Sequence, residues 1–404
     1  MREDYLHQIW LTKRLPMHQL TLVDGRKLHV FQTGWHNHES GPDFFNGSIE
    51  IDGIRWNGNI EIHIKSSDWY AHKHHIDRAY DTVVLHVVYQ FDKPVYIGNE
   101  EIPTLELKTF LDQTHWFSYE SLIKSSTWIP CENQLQEIDS LYFIKEIESA
   151  LVKRLQRKST LLSARFEALN HDFNQLQYEV LAQAFGNKVN AIPFGELAQR
   201  MPLKVLWREG NTAIHTLLLG AAGFLDSTSD RQEYQQMLLD WKFWTIKYSF
   251  QSMERSSWKF KGLRPSGFPP VRIAQLAGFL TIFQHDFKLV EQPIAFWRSF
   301  FESTDFSENK LTQSFQNLIL INAVVPLLFW YGDYRSDSTF KQKALDLLDS
   351  LESEKNQLIS NWKKRGIESK SAADSQGLLE LKNEICNQKK CLSCQIGNKI
   401  LGKQ

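Results

Sequence analysis

The chain has 404 residues, of which 42% are hydrophobic and 23% charged, and its formal net charge is −1. That length suggests two or three domains of roughly 150 residues each. The near-neutral balance excludes a chain drawn as a whole to nucleic acid or to an anionic membrane, so any basic surface has to be local.

The opening "MREDYLHQIWLTKRL" carries acids where a secretory signal would carry an apolar core. From about residue 20 to 108 the signals are those of strands and turns. "TLVDGRKLHVFQTG" and "SIEIDGIRW" each read as strand, Asp-Gly turn, strand. "NIEIHIK" alternates strictly, so Glu61, His63 and Lys65 share one face while Ile60, Ile62 and Ile64 take the other. "SSDWYAHKHHIDRAY" predicts a helix with Ser66, Ser67 or Asp68 as N-cap. "DTVVLHVVYQF" predicts a strand buried on both faces, and "EIPTLELK" one more short strand.

After about residue 135 the apolar period becomes 3.6, with Ile144, Ile147, Leu151 and Leu155 on one stripe and a last helix near 338–364. "LILINAVVPLLFWY", interrupted by Asn322 and Pro326, falls short of the about 20 apolar residues a bilayer requires and reads as kinked core. The expected fold is α+β: an N-terminal α/β domain with a mixed sheet over 1–130, a mainly helical domain over 131–375, and a cysteine-bearing tail over 376–404 packing near Cys131. The expected location is the cytoplasm, with no membrane partner.

Asp43 follows the Gly41-Pro42 turn and opens the strand that precedes Glu61. If the two strands form a hairpin, the two carboxylates approach each other and suit a hard divalent cation. A neighbouring base then orients a water, the minimal equipment for metal-dependent hydrolysis of a phosphodiester. This constellation, followed by a helix and a buried strand, resembles the PD-(D/E)XK nuclease superfamily. The resemblance implies Mg²⁺ or Mn²⁺ held by Asp43 and Glu61, with His63 where the superfamily usually has lysine and Lys65 as a displaced amine. The whole chain also resembles a bacterial family of unknown function that carries "GPDF", "EIH", "SDW" and "LHVV" blocks.

Six of the 14 histidines fall between positions 36 and 75. Glu39, His72, His74 and Asp77 are candidates for supporting or substrate-binding roles, and imidazoles in this number also suit a transition metal. His86, inside "VVLHVVY", reads as a core histidine. Cys386, Cys391 and Cys394 form C-x4-C-x2-C and, with Cys131, offer four ligands for zinc or a [4Fe–4S] cluster. Some nucleases of the superfamily close their fold around an iron–sulfur cluster with one early and three late cysteines; here Cys131 follows the acidic strand instead of preceding it.

Trp258, Lys259, Arg264 and Arg272 interleave charge with aromatic rings, a pattern that suits a nucleic-acid backbone and unstacked bases. No phosphate-binding loop of the G-x-x-x-x-G-K-[ST] type occurs, so a helicase or ATPase would be a separate partner. The expected function is a metal-dependent nuclease, DNA before RNA. The alternatives are an inactive nuclease-fold scaffold or nucleic-acid-binding protein, and a histidine-rich metallohydrolase acting on a small molecule.

Overall fold

Asp52 and Gly53, with φ of 48° and 82°, close a tight turn between β3 (Phe44–Ile51) and β4 (Ile54–Lys65). Positive φ at both turn positions matches the twist of paired strands, which is why Asp-Gly marks hairpins so well. In the computed structural model, which describes residues 1–37, 39–111, 113–225, 232–282, 288–303 and 311–402, this hairpin is the centre of a mixed sheet. β1 (Leu28–Gln32) and β2 (Trp35–His36) pair antiparallel with β3; β5 (Val83–Gln90) joins β4 in parallel, and β8 (Thr104–Glu106) joins β5 in parallel. β6 (Tyr96–Ile97) and β7 (Glu100–Glu101) form a small separate hairpin.

The β3–β4 register contains a one-residue bulge. Gly47 pairs with Gly58, but Phe44 pairs with Ile60, and Asn46 between them sits at φ 56°. Asn59 Oδ1 accepts the Asn46 N–H at 3.2 Å and satisfies the bulged backbone. The extra residue switches the alternation of β3. Below the bulge Ile49 and Ile51 face the core; above it Phe44 does, and Asp43 turns to the opposite face. Gly58 allows β4 to approach β5 closely, since a Cβ there would stand 2.4 Å from a methyl of Val84.

The chain divides into two units: Met1–Tyr142 with Glu384–Gln404, and Phe143–Asn383. In the first, α1 (Glu3–Leu11) buries Tyr5, Leu6, Ile9 and Trp10 and packs against β4. α2 (Asp68–Ala71) and two 3₁₀ turns, His74–Ile76 and Arg78–Tyr80, form the crossover to β5. The single helix expected over this stretch is therefore broken, because Lys73 takes the left-handed conformation (φ 65°, ψ 24°). α3 (Gln113–Lys124) and the C-terminal segment complete the unit, with the Arg14 guanidinium donating to Asn398 O at 3.1 Å and the Lys389 ammonium to the carbonyls of Ile123 and Ser125.

The second unit is helical. Its longest elements are Ser140–Ala168 and Phe173–Arg200, the latter interrupted at Asn187 and Asn190. Ile147, Leu151 and Leu155 of the expected stripe are buried, whereas Ile144 is half exposed. The helix expected near 338–364 is two, Ser338–Ser350 and Gln357–Lys363, the second capped by Asn356. Gln313–Arg335 is long and apolar enough to cross a membrane by length and composition, and 72% of that apolar window is buried within the protein. A π turn at Leu320–Val324 precedes Pro326, where the missing N–H would otherwise break the regular ladder. Arg154 and Arg157 pair with Glu380, and Arg165 with Glu179.

Glu209 accepts hydrogen bonds from the Tyr248 hydroxyl, the Lys247 ammonium (2.9 Å) and the Trp244 indole (2.9 Å). Those donors, Tyr248 first, hold its carboxyl down at about 2. A folded value below the unfolded one contributes stability above about pH 4.5 that fades as the pH falls toward about 2. In urea unfolding, E209Q is expected to be less stable than wild type at neutral pH, with the gap closing across that acid window.

Candidate active site

The bulge places Asp43 directly across from Glu61, one step beyond the Phe44–Ile60 pair. Two hydrogen bonds then cross between the strands: Asp43 Oδ2 accepts the Ile62 N–H at 2.9 Å, and Glu61 Oε2 accepts the Asp43 N–H at 3.0 Å. An aspartate's own nitrogen and carboxyl oxygens span at most about 5 Å, so the two carboxylates lie within about 8 Å of each other. Asn37 shapes the preceding turn. Its amide donates to the carbonyls of Glu39, Ser40 and Pro42 at 3.1–3.2 Å, and Gly41 takes φ 101°.

Glu61 is only 4% exposed, and His63, two residues on, is 1% exposed. Glu61 Oε1 lies 3.5 Å from His63 Nε2 and 3.3 Å from His74 Nε2. His63 Nδ1 meets His86 Nε2 at 2.8 Å, and His63 Nε2 meets His72 Nδ1 at 3.2 Å. Burial, reinforced by the imidazoles of His86, His74 and His72, pushes His63 down to about 2; burial holds His86 at about 3. Burial also raises Glu61, with the Asp43 charge adding to it and the His74 hydrogen bond opposing it.

The left-handed Lys73 makes this convergence possible. On a regular helix, positions two apart diverge; with the reversal between them, His72 and His74 both return to His63. The His74 ring stacks on Tyr80 at 3.8 Å between centroids and meets Trp69 edge-on. Burial, then the charges of Glu61 and Asp43, raises the Tyr80 phenol to about 12.

Helix α1 adds two residues that the sequence reading did not assign. His7 Nε2 lies 3.2 Å from Asp43 Oδ2, and its Nδ1 lies 3.3 Å from His36 Nε2. Burial alone would depress His7, but the Asp43 hydrogen bond and charge, with Glu3 and Glu61, raise it. Glu3, four residues earlier on the same face, is raised by burial and senses His72 and Asp43. The i, i+4 spacing and the apolar stripe of α1 are legible in "EDYLHQIW", but nothing local shows where that helix docks.

Lys65, by contrast, is exposed and acts electrostatically on Asp92, and its backbone N–H donates to Asp68. Glu39 and Asp77 are exposed turn residues; Asp77 caps Ala79 N. Of the expected set, Asp43, Glu61, His63, His72 and His74 come together, and Lys65, Glu39 and Asp77 do not join them.

Over residues 3–357 the chain matches a family described as protein of unknown function, DUF2851. It belongs to that family. No curated protein and no solved structure matches it. The resemblance to an uncharacterised family is thus met, and the family brings no activity with it.

The matched span of this DUF2851 protein stops before the cysteine tail. Cys131 and Cys391 pack in one core, and no disulfide joins any of the four cysteines. Burial, then the charge of Cys391, pushes the Cys131 thiol up to about 12; burial takes Cys391 to about 11. Among the described residues, no three cysteine sulfurs lie within 4.8 Å of one another.

In the helical unit Trp258 corrects the expectation of a stacking ring. It is 5% exposed, with its indole donating to Ala222 O, because the core takes so large an apolar surface. Lys259 and Arg264 are exposed. Arg272 stacks over Phe315, lines a cavity of about 90 Å³ with Asn187 and Asn190, and is pushed down to about 10 by burial.

Left-handed backbone costs a non-glycine residue about 1–2 kcal/mol. K73G is expected to keep the fold and to gain up to about 1 kcal/mol, and K73V to lose about as much, as read by thermal unfolding of the two variants against wild type.

Proposed function

We propose that this protein is a metal-dependent nuclease of the cytoplasm that hydrolyses nucleic-acid phosphodiesters, those of DNA in preference to RNA. The observation that carries this reading is the reciprocal pinning of Asp43 and Glu61 by each other's strand, with His63 alongside. An acid at a strand start, acid-x-His on the next strand, a helical crossover and a buried parallel strand follow the order on which the PD-(D/E)XK resemblance rests. Asp43 and Glu61 would hold Mg²⁺ or Mn²⁺, which polarises the phosphate and lowers the pKa of a bound water. His63 orients that water. As a base it is weak, since a value of about 2 lies far from the working pH.

Lys259 and Arg264, exposed on the helical unit, are the proposed contacts to the nucleic-acid backbone. Arg272, at its cavity, is a proposed contact as well. For the cysteines the reading keeps both a [4Fe–4S] cluster and zinc, with Cys131, Cys386, Cys391 and Cys394 as the residues that would hold either.

Removing one carboxylate should cost several kcal/mol of transition-state stabilisation, at least about a hundredfold in rate. Labelled single- and double-stranded DNA and RNA, incubated with Mg²⁺ or Mn²⁺, should be cleaved by wild type and spared by D43N and E61Q, both variants keeping the wild-type circular dichroism. Cleavage by the variants at the wild-type rate, or none by wild type with either metal, removes the proposal.

A further inference from the structure

Three imidazoles converge beside the two carboxylates, and the reading above uses only one of them. One ligating nitrogen from each of His63, His72 and His74 lies within 4.8 Å of the other two. The His63 Nε2 to His72 Nδ1 separation is 3.2 Å. Two nitrogens bound to one tetrahedral zinc at the usual bond length stand about 3.3 Å apart, so this pair already has the spacing of ligands to a common ion.

The rings are also held from behind, as ligating imidazoles need to be. His86 Nε2 meets His63 Nδ1 at 2.8 Å; when His63 donates that N–H, its Nε2 lone pair is left facing His72. Tyr80 and Trp69 fix the plane of His74. His72 is exposed and His74 partly so, which leaves a path for an ion and for water. The left-handed Lys73 is backbone strain spent on bringing these two histidines to one side.

We infer that His63, His72 and His74 form a second metal site, selective for a borderline divalent transition-metal ion such as Zn²⁺ or Fe²⁺ over Mg²⁺, with Glu61 shared between it and Asp43. Glu61 has the geometry for sharing: Oε1 faces His63 and His74, and Oε2 faces Asp43 N. Imidazole donors favour first-row transition metals, whereas carboxylate and water suit Mg²⁺. An ion there would supply a water ionised near neutral pH. This role rests on the phosphodiesterase reading; the binding itself does not.

The test is a titration of chelator-stripped full-length protein with ZnCl₂, followed by calorimetry and by the imidazole ¹⁵N resonances. In wild type the His63, His72 and His74 signals should all take the shift of nitrogens bound to a metal, a change that MgCl₂ does not produce at His72. H72N and H74N should each weaken this uptake by at least about tenfold. D43N should leave the shifts in place while abolishing cleavage. Zinc taken up by cysteine thiolates leaves the imidazole signals where they were, so it is not mistaken for this site. His72 is exposed, so H72N keeps the fold even where H74N does not.

Imidazole signals unmoved by zinc, or moved equally in H72N, overturn the inference. Shifts in wild type without any cleavage leave the inference standing and sink the nuclease. Cleavage without shifts does the reverse.

Discussion

The candidate site depends on an exchange of two backbone hydrogen bonds across one β-bulge. Asp43 is held by the N–H of Ile62, and Glu61 by the N–H of Asp43, so each carboxylate is anchored to the other's strand. Hydrogen bonds to a charged acceptor are worth about 1.5–3 kcal/mol each, enough to fix both side chains before any ligand arrives. The exchange requires the register above the bulge. With the register of Gly47–Gly58 continued, Asp43 would stand opposite Ile62 and share its face. A slip of one residue would therefore put one acid in the core and leave the other alone.

That anchoring creates an electrostatic problem. Among the described residues, no lysine or arginine pairs with Asp43 or Glu61; their partners are His7, His63 and His74. Glu61 is nearly dry, and a buried charge without a permanent counter-ion shifts its pKa or finds a cation. Its raised value is the first of these outcomes. Imidazoles offset the charge only when protonated, and burial denies that to His63 and His86. A divalent ion relieves the same strain without needing a proton, and the open side at His72 and Asp43 gives it a route in.

Much of this arrangement is written in short-range sequence signals. The Asp-Gly turn, the alternation of "NIEIHIK" and the β-branched run of β5 report their own structure, because turn chemistry and period-2 burial are local. Asp43 and Glu61 were legible for the same reason. Asn46 followed by Gly47 carries a hint of the bulge, but its effect on the facing of Asp43 depends on pairing with β4. The broken crossover was not legible: "DWYAHKHHIDRAY" has helical composition, and only tertiary packing around Trp69 and Tyr80 selects the left-handed Lys73. Glu3 and His7 were missed because a helix's docking partner lies outside its own sequence. Trp258 was misread because an aromatic among cations looks alike whether it faces solvent or core.

The imidazole at position 63 and the density of histidines at 72–75 are one feature, not two. An amine at 63 would have to bury its ammonium in a niche that is 1% exposed, where it would serve as a fixed counter-ion to Glu61 and offer no lone pair. An imidazole there stays neutral and, when it donates one N–H to His86, keeps a lone pair for the open side. A neutral donor at this position is useless as a fixed positive charge but is what a metal needs. It has that value only if further donors reach the same point, and the crossover supplies two. The chemistry at 63 thus makes the histidines of the crossover meaningful, and the reversal at Lys73 is the backbone feature through which they arrive.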